Sequence, residues 1–250
     1  MKISAIIPTF NEEEHISEAI KSVSWADEII VVDSYSKDKT IEIAKKLGVK
    51  IIQREYQYSA SQKNWAIPQA EHNWVFLLDA DERVSNALKE EILNWKKTNP
   101  KHQSYWIYRT NHFMGKKIKY SGWQGDKVIR LFHKNCRYED KKVHAEIKSP
   151  SKAGKLKSPI LHFTFKSMSH YLLKWDQYSS WSAKDYFKKV KNPNFFHFII
   201  KPTFRFLRDF IFRGGILDGK TGYIVCKLSS MGVFMRYVKI KELKDKSTTK

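Results

Sequence analysis

Two carboxylates one residue apart, Asp79 and Asp81, directly follow the apolar run Trp74–Leu78 and precede Glu82. Hard carboxylate oxygens at that spacing can hold Mg2+ or Mn2+, an ion that keeps some waters and takes further oxygens from a pyrophosphate. Held there, the cation neutralises a leaving phosphate. Acidic residues after a strand also serve as helix N-caps, so the pair gains meaning from its company. Asp33 ends a second β-branched run, Ile29–Val32, where its carboxylate can bond a ribose or a base edge, or form a turn with Ser34. Pro8-Thr9-Phe10-Asn11-Glu12 ends a third run. Lys63 and Asn64 follow Ser59-Ala60-Ser61-Gln62 near a helix start, so Lys63 can reach a phosphate or base carbonyl, or stand solvated. No GxGxxG and no Walker loop is present, which argues against an ordinary dinucleotide or a P-loop ATP site.

These groups need a scaffold that gathers strand ends. Ile3–Ile7, Ile29–Val32, Val49–Ile52 and Trp74–Leu78 read as buried strands, separated by helical patterns at Glu13–Val23, Lys39–Leu47 and Ser61–Ala70, with Gly48 as a stop. Right-handed crossovers then predict an α/β fold, a Rossmann-like mostly parallel sheet with helices on both faces and ligands beyond the carboxyl strand ends. From Ser104 to Ile147 shorter aromatic strands, Tyr105–Arg109 and Val128–Phe132, flank a loop carrying Gly115, Gly122 and Gly125. The expected division is a catalytic domain over 1–148 (1–100 the nucleotide-binding half, 101–148 the acceptor side), a linker and closing segment over 149–168 centred on Ser149–Pro159, and a helical extension over 169–250.

The chain of 250 residues is 42% hydrophobic and 14% aromatic with only 10 Gly and 7 Pro, so it is neither disordered nor low in complexity. Its net charge of +20 is uneven: residues 1–140 hold 22 basic and 19 acidic side chains, residues 141–250 hold 24 and 7. A cationic second part implies an anionic partner, either nucleic acid or a membrane surface. Cys136 and Cys226 lack any ligand spacing and read as reduced thiols of a cytosolic protein. The first apolar run is too short for a signal peptide, and no uncharged stretch of about 18 residues offers a spanning helix.

Ile6-Ile7-Pro8-Thr9-Phe10-Asn11-Glu12-Glu13, Ile30-Val31-Val32-Asp33-Ser34 with Thr40, Gln62-Lys63-Asn64 and Phe76-Leu77-Leu78-Asp79-Ala80-Asp81-Glu82 resemble, in order, the motifs of family 2 glycosyltransferases with the GT-A fold, the fold of nucleotide-diphospho-sugar transferases. Gly122-Trp123, Arg130-Leu131-Phe132, Val143-His144, Leu161-His162 and Gly214-Gly215-Ile216-Leu217-Asp218-Gly219 are similar to a narrower branch, the lipopolysaccharide inner-core β-1,4-glucosyltransferases of the WaaE/KdtX type. The resemblance implies an inverting transferase that moves a sugar, glucose in that branch, from a UDP-sugar with the help of a divalent metal (Mg2+ or Mn2+). It carries over a donor set of Pro8, Thr9, Asn11, Glu12, Asp33, Lys63 and Asp79, with Asp81, and Asp79 beside it, at the metal. The implied acceptor is a lipid-linked saccharide such as the lipopolysaccharide core.

Inversion by direct displacement needs one general base within reach of the acceptor hydroxyl. Asp126, Glu139, Asp140, His144 and Glu146 are the candidates. In the branch a Glu follows Val-His directly, whereas here Ala145 intervenes before Glu146; Asp140 ranks narrowly ahead of Glu146. Downstream, Lys201, Arg205, Arg208 and Asp209 share one face at helical spacing while Phe204, Leu207, Phe210 and Ile211 hold much of the other. Such a basic amphipathic extension can lie on an anionic membrane surface, or pack on the catalytic domain. The expectation is a cytoplasmic enzyme, peripheral on the inner face of the plasma membrane, with no nucleic-acid partner. The rivals are a metal-dependent nucleotidyltransferase, whose Gly/Arg/Lys-rich phosphate loop is missing near Pro8, and a non-enzymatic basic nucleic-acid-binding protein, for which no binding motif is present.

Overall fold

The computed structural model describes residues 1–141, 145–165 and 167–248, and the chain divides into two compact units, Met1–Thr110 with Gly125–His162, and Asn111–Gln124 with Phe163–Lys250. In the first unit β1 (Ile3–Thr9), α1 (Ile16–Ser22), β2 (Glu28–Asp33), α2 (Thr40–Lys46), β3 (Lys50–Gln53), α3 (Ser59–Ala66) and β4 (Trp74–Leu77) alternate as the apolar periodicity predicts. β5 (Glu82–Val84), α4 (Asn86–Trp95), β6 (Ser104–Phe113), β7 (Lys116–Lys117), β8 (Lys127–His133), β9 (Arg137–Tyr138), β10 (Ile147–Lys148), β11 (Gly154–Lys155) and β12 (Ile160–Phe165) follow, with β7 and the last residues of β6 and β12 counted in the second unit. The strands β3-β2-β1-β4 form a parallel block. β8 then pairs antiparallel with β4, and β6 antiparallel with β8, so β6 runs in the direction of the parallel block.

Period-two alternation sorts the side chains of this sheet into two cores. Ile3, Ala5, Ile7, Val31, Phe76 and Leu78 face α1, α2 and α4, burying Ala19, Ala44, Leu88 and Ile92 with them. Ile6, Ile30, Val32, Val75 and Leu77 face the other way, onto Ala60 and Ala66 of α3 and onto Phe132 and Tyr138. Helices on both faces leave the carboxyl ends of β1, β2, β4 and β6 as the edge where loops gather.

The chain divides elsewhere than at the expected 148 and 168. Residues 149–159 are folded into the first unit: β11 pairs with Tyr105–Trp106 of β6, Leu156 is buried, the N–H groups of Lys157 and Ser158 each donate to the Glu91 carboxylate at 2.8 Å, and Pro159 O accepts from Ser85 at 2.7 Å. Pro and Ser there satisfy a packed backbone instead of loosening a tether, and Ser85 also caps α4 by accepting from Leu88 N.

The second unit contains α5 (Met168–Phe187), α6 (Lys201–Leu207) flanked by π-helical turns at Phe196–Ile200 and Arg208–Phe212, and α7 (Gly219–Thr248). Its cohesion comes from close backbone approach: a Cβ on Gly222 would stand 2.0 Å from Gly215 O. The Asp218 carboxylate accepts from Lys119 N at 3.0 Å, Tyr120 N at 2.9 Å and Ser121 Oγ at 2.8 Å. The basic face of α6 is not free. Arg205 and Arg208 pair with the fully buried Asp209, joined by Arg213 at 3.6 Å, and Lys201 donates to Tyr237 Oη at 3.0 Å. The apolar side chains point outward instead: Phe204 is 59%, Ile211 55% and Phe212 79% exposed. Among the described residues no helix is long and apolar enough to cross a membrane.

Candidate active site

The register of β1 on β2 sets Pro8 beside Val32 and Thr9 beside Asp33. Thr9 is buried, and its Oγ1 has no hydrogen-bond partner among the described residues. The fully buried Asp33 carboxylate accepts from Ser36 N at 3.1 Å, from Ser36 Oγ and from Gln53 Nε2 at 2.9 Å, so it braces the loop after β2. Asn11 and Glu12 stitch that loop to β1: Asn11 N donates to Ser36 Oγ and Asn11 Oδ1 accepts from Lys37 N, both at 2.8 Å, and Glu12 N donates to Thr40 Oγ1 at 2.8 Å. Asn11 and Tyr35 adopt left-handed backbone, with φ of +54° and +61°. Asn tolerates this conformation; for Tyr35 it is strain, of the kind that clusters at ligand clamps.

Beyond β4 the carboxylates separate into two environments. Asp79 Oδ1 lies 3.0 Å from Lys63 Nζ, and Asp79 Oδ2 is bonded by Arg130 Nη2. Arg130, nearly inaccessible within β8, also donates to the fully buried Glu82 at 2.7 Å, and Arg109 reaches Glu82 at 3.5 Å while gripping Asp126 through two N–H bonds of 2.9 Å. Burial works against the Asp79 charge, but the guanidinium of Arg130 and the ammonium of Lys63 outweigh it and hold the carboxyl far below the usual carboxylate range. For Lys63 burial pushes the ammonium down, and the Asp79 carboxylate together with Tyr138 outweighs it, leaving its pKa raised. Asp81 takes a different partner: its Oδ2 lies 3.6 Å from His162 Nε2, which β12 presents.

This arrangement sorts the sequence candidates. Asp79, with both oxygens on cations, is not disposed as a metal ligand, whereas Asp81 and His162 offer a carboxylate oxygen and an imidazole nitrogen side by side. Among the described residues no three His, Cys, Asp or Glu side chains converge into a ready-made cation cage. A divalent ion would fit the Asp81–His162 pair with its remaining positions taken by water and phosphate oxygens, the habit of a cation that dehydrates reluctantly. Asp126 is committed to Arg109, Glu139 pairs with Lys141 at 2.6 Å, and Asp140 accepts from Tyr58 Oη. Glu146 lines a cavity of about 270 Å³ whose walls include Lys63, Asp79, Arg109, Arg130 and Tyr138. His144 lies outside the described residues. Arg130, Arg109, Glu82 and His162 were not among the expected site residues. The signal for Arg130 is a cation inside an apolar strand, which must find buried partners.

The sequence matches Glycosyl transferase family 2 over residues 4–174. An uncharacterised glycosyltransferase of Rickettsia typhi is 31% identical in an alignment covering 98% of this chain and 89% of the relative. LpsC of Rhizobium meliloti, a lipopolysaccharide core biosynthesis glycosyltransferase, is 27% identical across 95% of this chain and 93% of its own length. Among solved structures, glucosyl-3-phosphoglycerate synthase of Mycobacterium tuberculosis in complex with Mn2+, UDP and glucosyl-3-phosphoglycerate aligns over 44% of each chain at 23% identity with a TM-score of 0.38. A family match spanning well over half the chain, together with a full-length relative at 31% identity, places the protein: it belongs to glycosyl transferase family 2 and is a glycosyltransferase.

Proposed function

We propose that this transferase moves a sugar, with inversion, from a UDP-linked donor to a saccharide carried on a lipid, in the manner that its likeness to LpsC suggests. The observation that carries the reading is the cavity at the carboxyl ends of the strands, where Glu146 shares walls with the cationic pair around Asp79. Thr9 Oγ1, without a hydrogen-bond partner among the described residues, stands at the end of β1 for the nucleoside, and beside it the buried Asp33 carboxylate braces the loop that would border the nucleoside. Lys63 and Arg130 supply positive charge beside the sugar and its phosphate, and Asp79 holds both in place. Asp81 with His162 would hold the divalent ion, whose chemistry when bound is to screen the charge of the departing diphosphate.

In the transfer, the acceptor hydroxyl oxygen bonds to the anomeric carbon as that carbon's bond to the phosphate oxygen breaks, UDP leaves with the electron pair, and Glu146 takes the hydroxyl proton. Glu146 replaces Asp140 as the preferred base because it lines the cavity, while Asp140 is tied to Tyr58. A base contributes to the transition state more than to ground-state binding. Glu146→Gln should therefore leave UDP-sugar affinity within about twofold and lower turnover by about 100-fold or more, within the usual range for acid–base groups, while Asp140→Asn keeps most activity. The reverse pattern, in calorimetric titration and a transfer assay, would return the role to Asp140.

The exposed apolar ridge of the second unit, Phe204, Leu207, Ile211 and Phe212, together with the surplus of cations after residue 140, supports peripheral docking on an anionic membrane, where a lipid-linked acceptor resides. The corresponding location is the cytoplasmic face of the plasma membrane.

A further inference from the structure

We infer that the second unit carries a separate binding site for a phosphoryl group, borne by a sugar or by a lipid headgroup, in the groove walled by α5, α6 and α7. The groove encloses about 210 Å³ and presents Arg205, Arg236, Trp175, Ser179, Ser182 and Ser229. None of these belongs to the donor-binding set. No carboxylate is among the described residues that line it, so two guanidinium groups face a concave surface without a counter-charge of its own.

Three details make this a built site. Arg205 is fixed from behind, because its Nε donates to the fully buried Asp209 and leaves the Nη groups for the groove. The Nε of Arg236 and the Nε1 of Trp175 are shielded from water and have no hydrogen-bond partner among the described residues, an arrangement that costs free energy unless an acceptor arrives. Arg236 is held with its guanidinium 4.6 Å above the ring of Tyr186. Gly232 keeps the space before the indole open, since a Cβ there would lie 3.1 Å from Trp175 Nε1.

The donor count selects the ligand. The Nη groups of two guanidiniums, an indole N–H and the hydroxyls of Ser182 and Ser229 form a donor set that suits the terminal oxygens of a phosphate, to which guanidinium forks bind in paired fashion, while the Ser179 hydroxyl donates to Asp176 O at 2.9 Å. The volume falls below the roughly 300 Å³ at which pockets for larger ligands begin, so the groove suits one phosphorylated sugar residue or a headgroup. The aromatic ring of Tyr178 beside the serines provides a face for the carrier.

The test uses the whole protein with two probes: glucose 6-phosphate against glucose by titration calorimetry, and phosphatidylcholine vesicles with and without phosphatidic acid by flotation. Arg236→Gln should weaken binding of the responding probe at least tenfold and Trp175→Phe, which keeps an aromatic six-membered ring and loses the N–H with the pyrrole ring, severalfold. Gly232→Ala blocks the indole while raising helix propensity, so it keeps the test decisive if the Arg236 variant folds poorly. Binding of glucose 6-phosphate assigns the phosphate to a sugar; binding of phosphatidic acid vesicles alone, lost in Gly232→Ala, assigns it to a lipid. The proposal is overturned if the wild-type protein distinguishes neither probe from its control, or if Gly232→Ala and Trp175→Phe bind as tightly as wild type.

Discussion

Replacing Asp79 leaves Arg130 and Lys63 facing one another at the buried end of β4 without their shared counter-charge. Asp79→Asn should therefore cost stability, about 1–2 kcal/mol, less than a fully buried pair because the Asp79 side chain is 32% exposed, or roughly 5 °C in Tm for a chain of this size. Asp81→Asn weakens a 3.6 Å contact with His162 on a partly exposed carboxylate and should change stability by about 1 kcal/mol or less, while abolishing any Mn2+-dependent gain in UDP affinity. Calorimetric melts beside UDP titrations with and without Mn2+ separate the two; equal melts for both variants would remove Asp79 from the ion-pair role. At this scale the sequence brought Asp33, Asp79 and Asp81 to the carboxyl ends of strands because each directly follows an apolar run, and put Lys63 near a helix start. It did not distinguish a carboxylate that clamps cations from one beside a histidine, since Arg130 and His162 lie 51 and 81 positions further along the chain than Asp79 and Asp81. The preference for Asp140 over Glu146 rested on neighbours in sequence, and the cavity lining depends on how β9 and β10 pair.

The strands were legible because buried parallel strands need near-continuous apolar runs, and β1, β2 and β4 carry them. Ser149–Pro159 misled because Pro, Ser and Gly mark loose linkers and tightly bonded loops alike; only the carboxylate of Glu91 and the edge of β6 decide the matter. Glycine carries a second ambiguity. Gly222 lies in a sequence that reads as an ordinary helix start, yet a methyl group there would meet the carbonyl oxygen of Gly215 at 2.0 Å, so the first turns of α7 sit directly on the preceding 3-10 turn. Gly222→Ala should destabilise the second unit by about 1–3 kcal/mol, the cost of overpacking, even though alanine is the better helix former. Urea unfolding followed by far-UV circular dichroism tests this, and a variant as stable as wild type would mean that α7 slides without cost.

Charge at the scale of the whole chain is what the sequence states most directly, with 24 basic against 7 acidic side chains after residue 140. How that charge is used follows from where the guanidinium groups go. Three arginines of the segment expected to touch lipid are gathered on the buried Asp209, so Arg208→Gln with Arg213→Gln withdraws partners from a buried carboxylate and should act on stability more than on membrane affinity. The outward side chains are Phe204, Ile211 and Phe212, and full burial of such a group is favourable by roughly 1.5–3 kcal/mol. Insertion of side chains that are already partly covered recovers about 1 kcal/mol each on that scale, and three together amount to about two decades in partition coefficient. Replacing all three by Ser should thus lower binding to anionic vesicles by about 100-fold and leave the fold intact, because these positions face outward. Salt should remove the contribution of exposed lysines, screened beyond a Debye length of about 10 Å at 0.1 M, while the apolar part persists. Vesicle sedimentation at low and high salt separates the two contributions: binding by the triple Ser variant equal to wild type, or complete loss of wild-type binding in salt, would show that cations alone hold the protein to lipid and that the ridge serves another purpose.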